Sequence, residues 1–330
     1  MINFLKKILF RLAILFKLNR VFHFVNRKKI VILMYHGVTK DARSDCWWQL
    51  SVAKFKWQVE YMKENYSILS LKDLLHRLKN QEELPNNTAV ITFDDGYENN
   101  YSVAYPILKQ FGMPATIFLT TDFIGTDNLT WPDQLFMLFQ GLSVESLDLR
   151  SVGFDVYDLR SASKHNSLER LSEQLKECPP KKRLETMALI KKELNRSGAV
   201  EFKRPDFALL SWEKIAIMSK EGLIDWGAHT CTHEILSNLE EDDLRNEIVN
   251  SCKKVFELNE QMFFAYPNGR EQDFDQRAIR VLKGINAACG LSTIAGLNTT
   301  KEDIFRLKRV SIGNDLTEDY FKLLCSGVIT

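Results

Sequence analysis

The stretch Val90-Ile91-Thr92-Phe93-Asp94-Asp95-Gly96-Tyr97 constrains this chain more than any other. A β-branched, apolar run of this length reads as a buried strand, and it stops abruptly on two adjacent carboxylates and a glycine. Neighbouring carboxylates repel each other and are costly to desolvate unless a positive charge lies between them. A metal cation can hold one of them as carboxylate and leave the other free for proton work. The rest of the chain must then supply that cation's other ligands and a pocket around it.

Further short apolar runs at 29–35, 115–119, 223–228, 263–266, 287–291 and 309–312 also read as buried strands. Helical patterns separate them, at 47–65, 70–78, 100–111, 211–221, 242–258 and 275–283, with another at 318–324. Ser211 is placed to cap its helix, and Gly112 and Gly222 to end theirs. This alternation predicts a parallel α/β arrangement. Residues 127–205 interrupt it: they are polar and mostly helical, at 168–176 and 181–194, with Pro179-Pro180 as a break. They read as a helical insertion over one face.

At 330 residues, 45% hydrophobic and 26% charged, the chain is an ordinary globular protein of one barrel-sized domain or two smaller ones. A net charge of +1 implies no nucleic-acid partner. The charge is unevenly placed, because residues 1–29 hold eight cations and no acid, which leaves the body at −7. Leu5, Ile8, Leu9, Leu12, Leu15 and Phe16 recur there at helical spacing, between Lys6, Lys7, Arg11 and Lys17. So many cations argue against a transmembrane span. Arg11 and the lack of an Ala-x-Ala site argue against a signal peptide. Residues 1–28 are expected to form a basic amphipathic helix, either on an anionic membrane surface or packed on the domain's own surface. Six scattered cysteines with no Cys-x-x-Cys pair predict reduced thiols. The expected compartment is cytoplasmic, with peripheral contact at the inner membrane surface. A membrane-anchored or exported protein is the alternative.

His229-Thr230-Cys231-Thr232-His233 is the second chemical feature. Two histidines four apart, directly after a predicted strand, can turn both imidazoles to one point. With a carboxylate from Asp94-Asp95 they make a two-His, one-carboxylate site. Three protein ligands leave a position open for water or substrate, which is the catalytic arrangement. In a barrel the C-terminal strand ends share one face, so the two loops can meet.

Thr92-Phe93-Asp94-Asp95-Gly96 and His229-Thr230-x-x-His233 resemble the first two motifs of the polysaccharide deacetylase family (carbohydrate esterase family 4), which shares the chitooligosaccharide deacetylase homology domain. Phe264-Ala265-Tyr266-Pro267-Asn268-Gly269 resembles its third motif, and Met34-Tyr35-His36 and Leu210-Ser211-Trp212 resemble the flanks of the branch that modifies cell-surface polysaccharides. The resemblance covers about residues 30–325. It implies a deformed (β/α)7-type barrel as the catalytic domain, residues 29–330. It also implies a divalent metal, commonly Zn2+, with Co2+, Ni2+ or Mn2+ as alternatives. Carried over by position, Asp95, His229 and His233 become ligands and Asp94 the general base in removal of an N-acetyl group from an amino sugar. The substrate would be a polysaccharide, an oligosaccharide or a lipid-linked saccharide. The Tyr266 backbone N–H would help to hold the oxyanion.

This sequence departs from the family pattern twice. The third-motif arginine that orients the base is replaced by Ala265, and no histidine follows His233 to act as the acid. His36, at the end of the first strand, is the candidate acid in its place. Tyr97, Tyr266 and Pro267 are candidate substrate contacts, and Trp131 and Trp212 are further aromatics that can stack on a sugar. Thr230 is expected to order its loop and Cys231 to be a buried thiol. Arg309 reads either as an anchor for an anionic substrate group or as a surface ion pair. An O-acetyl esterase and a non-catalytic carbohydrate-binding relative stay open as alternatives.

Overall fold

The structure, a computed structural model, describes residues 10–11, 13–42, 45–196, 205–259 and 261–329. Lys6, Lys7 and most of the predicted first turns of the N-terminal helix lie outside the described residues.

Seven parallel strands close a barrel: β1 (Val31–Tyr35), β5 (Thr88–Phe93), β6 (Ala115–Leu119), β9 (Ile224–Ala228), β10 (Phe263–Ala265), β11 (Cys289–Ala295) and β12 (Leu307–Ser311). Closure comes from β1, which pairs with β12 on one side and β5 on the other. A short β4 (Ser67–Ile68) extends the lower end of β5. Outside the barrel, β2 (Gly37–Thr39) pairs with β3 (Gln49–Ser51), which raises Trp47 and Trp48 above the end of β1.

Alternation along each strand sorts the side chains. Ile32, Val90, Phe118, Phe263, Ala265, Leu291 and Leu307 share one apolar cluster inside the barrel. Their neighbours Leu33, Ile91, Leu119, Phe264 and Tyr266 face the surrounding helices. Gly227 on β9 is a requirement of this interior, because a Cβ there would lie 2.2 Å from the Phe118 ring.

The helices are α1 (Leu18–Val25), α2 (Val52–Asn65), α3 (Leu71–Lys79), α4 (Tyr105–Phe111), α5 (Trp131–Gly141), α6 (Lys164–Lys176), α7 (Pro180–Arg196), α8 (Trp212–Ser219), α9 (Glu241–Asn259), α10 (Gln276–Gly284) and α11 (Glu318–Ser326). Ser211 caps α8 through Lys214 N–H, as its position predicts. Predicted helix 47–65 starts late. Residues 49–51 pair as β3, and Ser51 caps α2 instead. Predicted helix 100–111 opens with a π turn at Asn100–Ala104.

Between β6 and β9 the chain leaves the barrel. Helices α5, α6 and α7 build a core of their own with Trp131, Leu135, Phe139, Leu171, Leu175 and Ile190. This region also contains a hairpin, β7 (Ser146–Asp148) with β8 (Val156–Asp158), where only helices and loop were expected. Ile235, two residues past His233, joins this second core and ties it to the barrel mouth.

Candidate active site

The carboxylates and histidines singled out from the sequence emerge at the C-terminal ends of the barrel strands, and Arg309 joins them from within β12. His36 follows β1, Asp94 and Asp95 follow β5, His229 follows β9, and Arg309 is on β12. The turn after β5 is tight, with both Asp95 and Gly96 at positive φ, 71° and 79°. Glycine is needed at the second position, where a Cβ would also strike Leu119. Thr230 and His233 are held at positive φ as well. Non-glycine residues are rare there and gather where a site demands a fixed geometry.

Asp94 is buried and meets Arg309 in a two-pronged pair, with Nη1 and Nη2 each 2.7 Å from one carboxylate oxygen. Arg309 is wholly buried; its Nε donates to the Ser292 carbonyl oxygen, and its guanidinium lies over the Phe118 ring. Burial opposes ionisation of Asp94. The Arg309 charge, His229 and the paired hydrogen bonds outweigh it and hold the carboxyl below its ordinary value. Neither reading of Arg309 from sequence survives. It is neither a surface ion pair nor a free anchor, because both prongs of its fork are spent on Asp94. Ala265 faces the barrel interior, and the guanidinium that meets Asp94 comes from β12.

Asp95, His229 and His233 are buried, and one donor atom of each lies within 4.8 Å of the others. Asp95 Oδ1 is 3.2 Å from His233 Nε2 and 3.6 Å from His229 Nε2. His229 Nδ1 donates to the Ala265 carbonyl oxygen at 2.8 Å, which leaves the Nε2 lone pair turned into the cluster. Burial pushes His229 down to about 4, so its imidazole is neutral at pH 7 and able to act as a ligand. Burial also disfavours charge on His233, but Asp95 beside it wins and raises its pKa. Asp95 Oδ1 is a buried oxygen with no hydrogen-bond partner among the described residues. An orphaned carboxylate oxygen facing two imidazoles suits a divalent cation, and an N,N,O donor set suits zinc.

The loop carrying both histidines is fixed from below. Thr230 Oγ1 accepts from His233 N–H, and the Glu247 carboxylate on α9 accepts from the N–H groups of Cys231 and Thr232 and from the Thr232 hydroxyl. Cys231 lies outside the donor cluster, and burial pushes its thiol up to about 12. All six cysteines are free and buried.

A cavity of about 540 Å³ opens over Asp94, Asp95, His229 and His233. His36 lines it with its ring edge-on to Trp47, and His36 Nδ1 has no partner among the described residues. Burial lowers the His36 pKa, against the pull of Asp95 and Asp94. The opposite wall comes from α5 and α6, including Asp133, His165 and Glu169. Asp133 is buried and accepts from Tyr97 Oη at 2.7 Å, Thr130 Oγ1 at 3.0 Å and Trp48 Nε1 at 3.1 Å. Burial and the Asp95 charge raise it to about 7, against those three hydrogen bonds.

Two predicted substrate residues lie elsewhere. The Tyr266 side chain points to the helix layer, stacked on Phe274 at 3.9 Å, and its hydroxyl donates to the Phe305 carbonyl oxygen. Its backbone N–H donates to Leu291 and so cannot hold an oxyanion. Strand alternation is the reason: with Ala265 facing in, Tyr266 must face out. Pro267 is buried next to it, and the cavity is reached instead by Asn268 and Arg270. Tyr97 does line the cavity, but its hydroxyl is committed to Asp133. Trp131 lies beneath Arg183, and Trp212 packs near Gly125; neither lines the cavity. Arg309, Asp133, Trp48 and Glu247 are the site-building residues that sequence reading did not single out for these roles. Two adjacent basic residues on the last strand, Lys308 and Arg309, were the one available signal, and alternation sends only one of them into the barrel.

The fold and site together define a seven-stranded parallel (β/α) barrel with a buried carboxylate–imidazole cluster at its C-terminal mouth, a donor set that could hold a cation. The chain belongs to the polysaccharide deacetylase family, whose model matches residues 81–288. YxkH of Bacillus subtilis (strain 168) is 35% identical over 122 residues, 36% of this chain and 42% of the relative. The poly-beta-1,6-N-acetyl-D-glucosamine N-deacetylase of Staphylococcus aureus (strain MRSA252) is 26% identical over 186 residues, 53% of this chain and 59% of the relative. The chain thus spans about half the length of these relatives. Among solved structures, the Streptococcus pyogenes deacetylase PplD in complex with acetate aligns with a TM-score of 0.57 at 20% identity, over 88% of this chain and 96% of that one. IcaB from Ammonifex degensii aligns with a TM-score of 0.57 at 17% identity, over 91% and 96%. At these identities the two structures establish the shared barrel fold.

Proposed function

We propose that the protein removes N-acetyl groups from N-acetylglucosamine units of an oligosaccharide or polysaccharide, by hydrolysis dependent on a divalent cation, zinc first among the candidates. The observation that carries this reading is the split of one Asp-Asp pair into two environments. Asp95 faces two imidazoles, and Asp94 faces a guanidinium.

Asp95, His229 and His233 would hold the cation. When bound, it supplies Lewis-acid polarisation of the amide carbonyl and lowers the pKa of water beside it. Asp94, kept ionised and oriented by Arg309, takes the proton of the attacking water. His36, across the same cavity, is the proton donor to the departing amine. Burial favours its neutral ring, so it takes up a proton as negative charge develops beside it and passes that proton to the amine. The proton held by Asp94 returns to solvent after product leaves. Trp47, Trp48 and the Tyr97 ring give the sugar an apolar wall, and closure by α5 and α6 keeps bulk water from the acetamide. No backbone donor for the oxyanion is assigned to Tyr266.

The test is acetate and free-amine release from β-1,6-linked N-acetylglucosamine oligomers, beside an O-acetylated sugar, with the protein zinc-loaded and after chelation. Equimolar acetate and amine, lost on chelation and restored by metal, is the expected result. Acetate from the O-acetylated sugar alone would replace this reading with the esterase. No release from either would leave a binding protein.

A further inference from the structure

Helix α1 is amphipathic the wrong way round for a helix docked on its own domain. Its polar side meets the protein. Asn19 and Tyr61 line one groove between the helix and the domain, and the His23 ring stands edge-on to Tyr66 at 4.8 Å. Just past the helix, Asn26 Nδ2 donates to the Ser326 carbonyl oxygen at 2.8 Å. Leu18, Val21, Phe22 and Val25, spaced i, i+3, i+4 and i+7, fall on the opposite side and are exposed, Val21 by 52% and Val25 by 65%. Phe16 and Phe24 extend the patch at 70% and 65% exposed. Elsewhere among the described residues, large exposed apolar side chains are scattered singly. Lys17, Arg20, Arg27 and Lys29 border the patch, within a stretch that contains no acid.

We propose that α1 and the residues leading into it dock on an anionic lipid bilayer, with the apolar face at the boundary between headgroups and acyl chains. A contiguous patch of this kind marks an interaction surface. The segment itself carries only cations, and the nearby acids Glu60 and Glu64 lie on the groove side, toward the domain. A second copy would set the cations of the two segments against each other. An anionic bilayer supplies apolar depth and negative charge at once. The helix lies beside the end of α2 that feeds β4, at the base of the barrel. Docking therefore leaves the catalytic mouth, at the other end of the strands, clear of the bilayer.

Flotation of the full chain with vesicles tests this, using equimolar phosphatidylglycerol and phosphatidylcholine against phosphatidylcholine alone. Binding is expected to the anionic vesicles and to fall with added salt. Val21→Asp with Val25→Asp should weaken it roughly tenfold or more. Lys17→Gln and Arg20→Gln should each weaken it about fivefold. Thermal midpoints equal to the parent's show that the variants fold, independently of any catalytic reading. Absence of binding to either vesicle, or unchanged binding by the Val21/Val25 variant, overturns the proposal. So does a dimer in sedimentation that the same variant dissolves, since that assigns the face to a second copy.

Discussion

On the barrel side of the cavity each buried carboxylate faces a cation or an imidazole, Asp94 with Arg309 and Asp95 with His229 and His233. On the insertion side Asp133 is just as buried, and the donors that hold it, Tyr97, Thr130 and Trp48, are all neutral. The outcomes differ accordingly. The charged neighbours depress both barrel carboxylates, whereas three neutral hydrogen bonds do not offset burial at Asp133, which rises to about 7. Within one cavity, equally buried carboxyl groups become two anions where cationic or imidazole partners face them and one group that titrates near neutrality where they do not.

The contrast can be broken most severely at Asp94. Asp94→Asn keeps the shape but removes the base, and turnover of an N-acetylated oligosaccharide should fall about 10³-fold. Zinc content measured on the same sample should be unchanged; unchanged turnover would remove Asp94 from its role. Arg309→Met leaves the Asp94 charge buried and alone. Denaturant unfolding should show a loss of roughly 3–5 kcal/mol, much of it regained when Asp94→Asn is added, because the stranded charge is then gone. A simple sum of the two single losses would mean that they do not form a coupled pair. His36→Ala should cost about 10²-fold in kcat with metal retained, and near-normal turnover would refute its part in amine departure.

The smallest effect tests the insertion wall. Asp133 has a folded-state pKa above its unfolded value, so its contribution to stability is full below about pH 4 and is lost as pH rises through about 7. In chelated protein, Asp133→Asn should flatten the decline of unfolding free energy between about pH 5 and 7.5, by on the order of 1 kcal/mol. Parallel pH profiles for parent and variant would show that Asp133 is ionised throughout.

Much of the barrel was readable because its signals are local. Thr88–Phe93 and Ala115–Leu119 form as predicted, since a β-branched run between turn residues has few alternatives. The His229–His233 loop and the Asp94-Asp95-Gly96 turn were legible for the same reason. What was missed depends on chain ends that meet only in space. Residues 49–51 carry a helix-compatible pattern yet pair with β2, so tertiary pairing overrides propensity. Arg309 and Asp94 are 215 residues apart in sequence, and a charge on a strand does not announce its partner. Tyr266 was assigned to the site by motif position, although alternation from Ala265 turns it outward. Asp133 was lost inside a segment read only as a cover.

The barrel closes when β12 seats between β11 and β1, and the same strand delivers Arg309 to Asp94. A ribosome that has released everything through β11 has therefore made the whole Asp-Asp-Gly turn and both histidines, but not the guanidinium that holds Asp94, the proposed base, ionised and oriented. Chemical competence arrives late in synthesis, with the strand that also seals the fold. On the proposed function, a nascent chain would be silent toward its substrate until its architecture is closed.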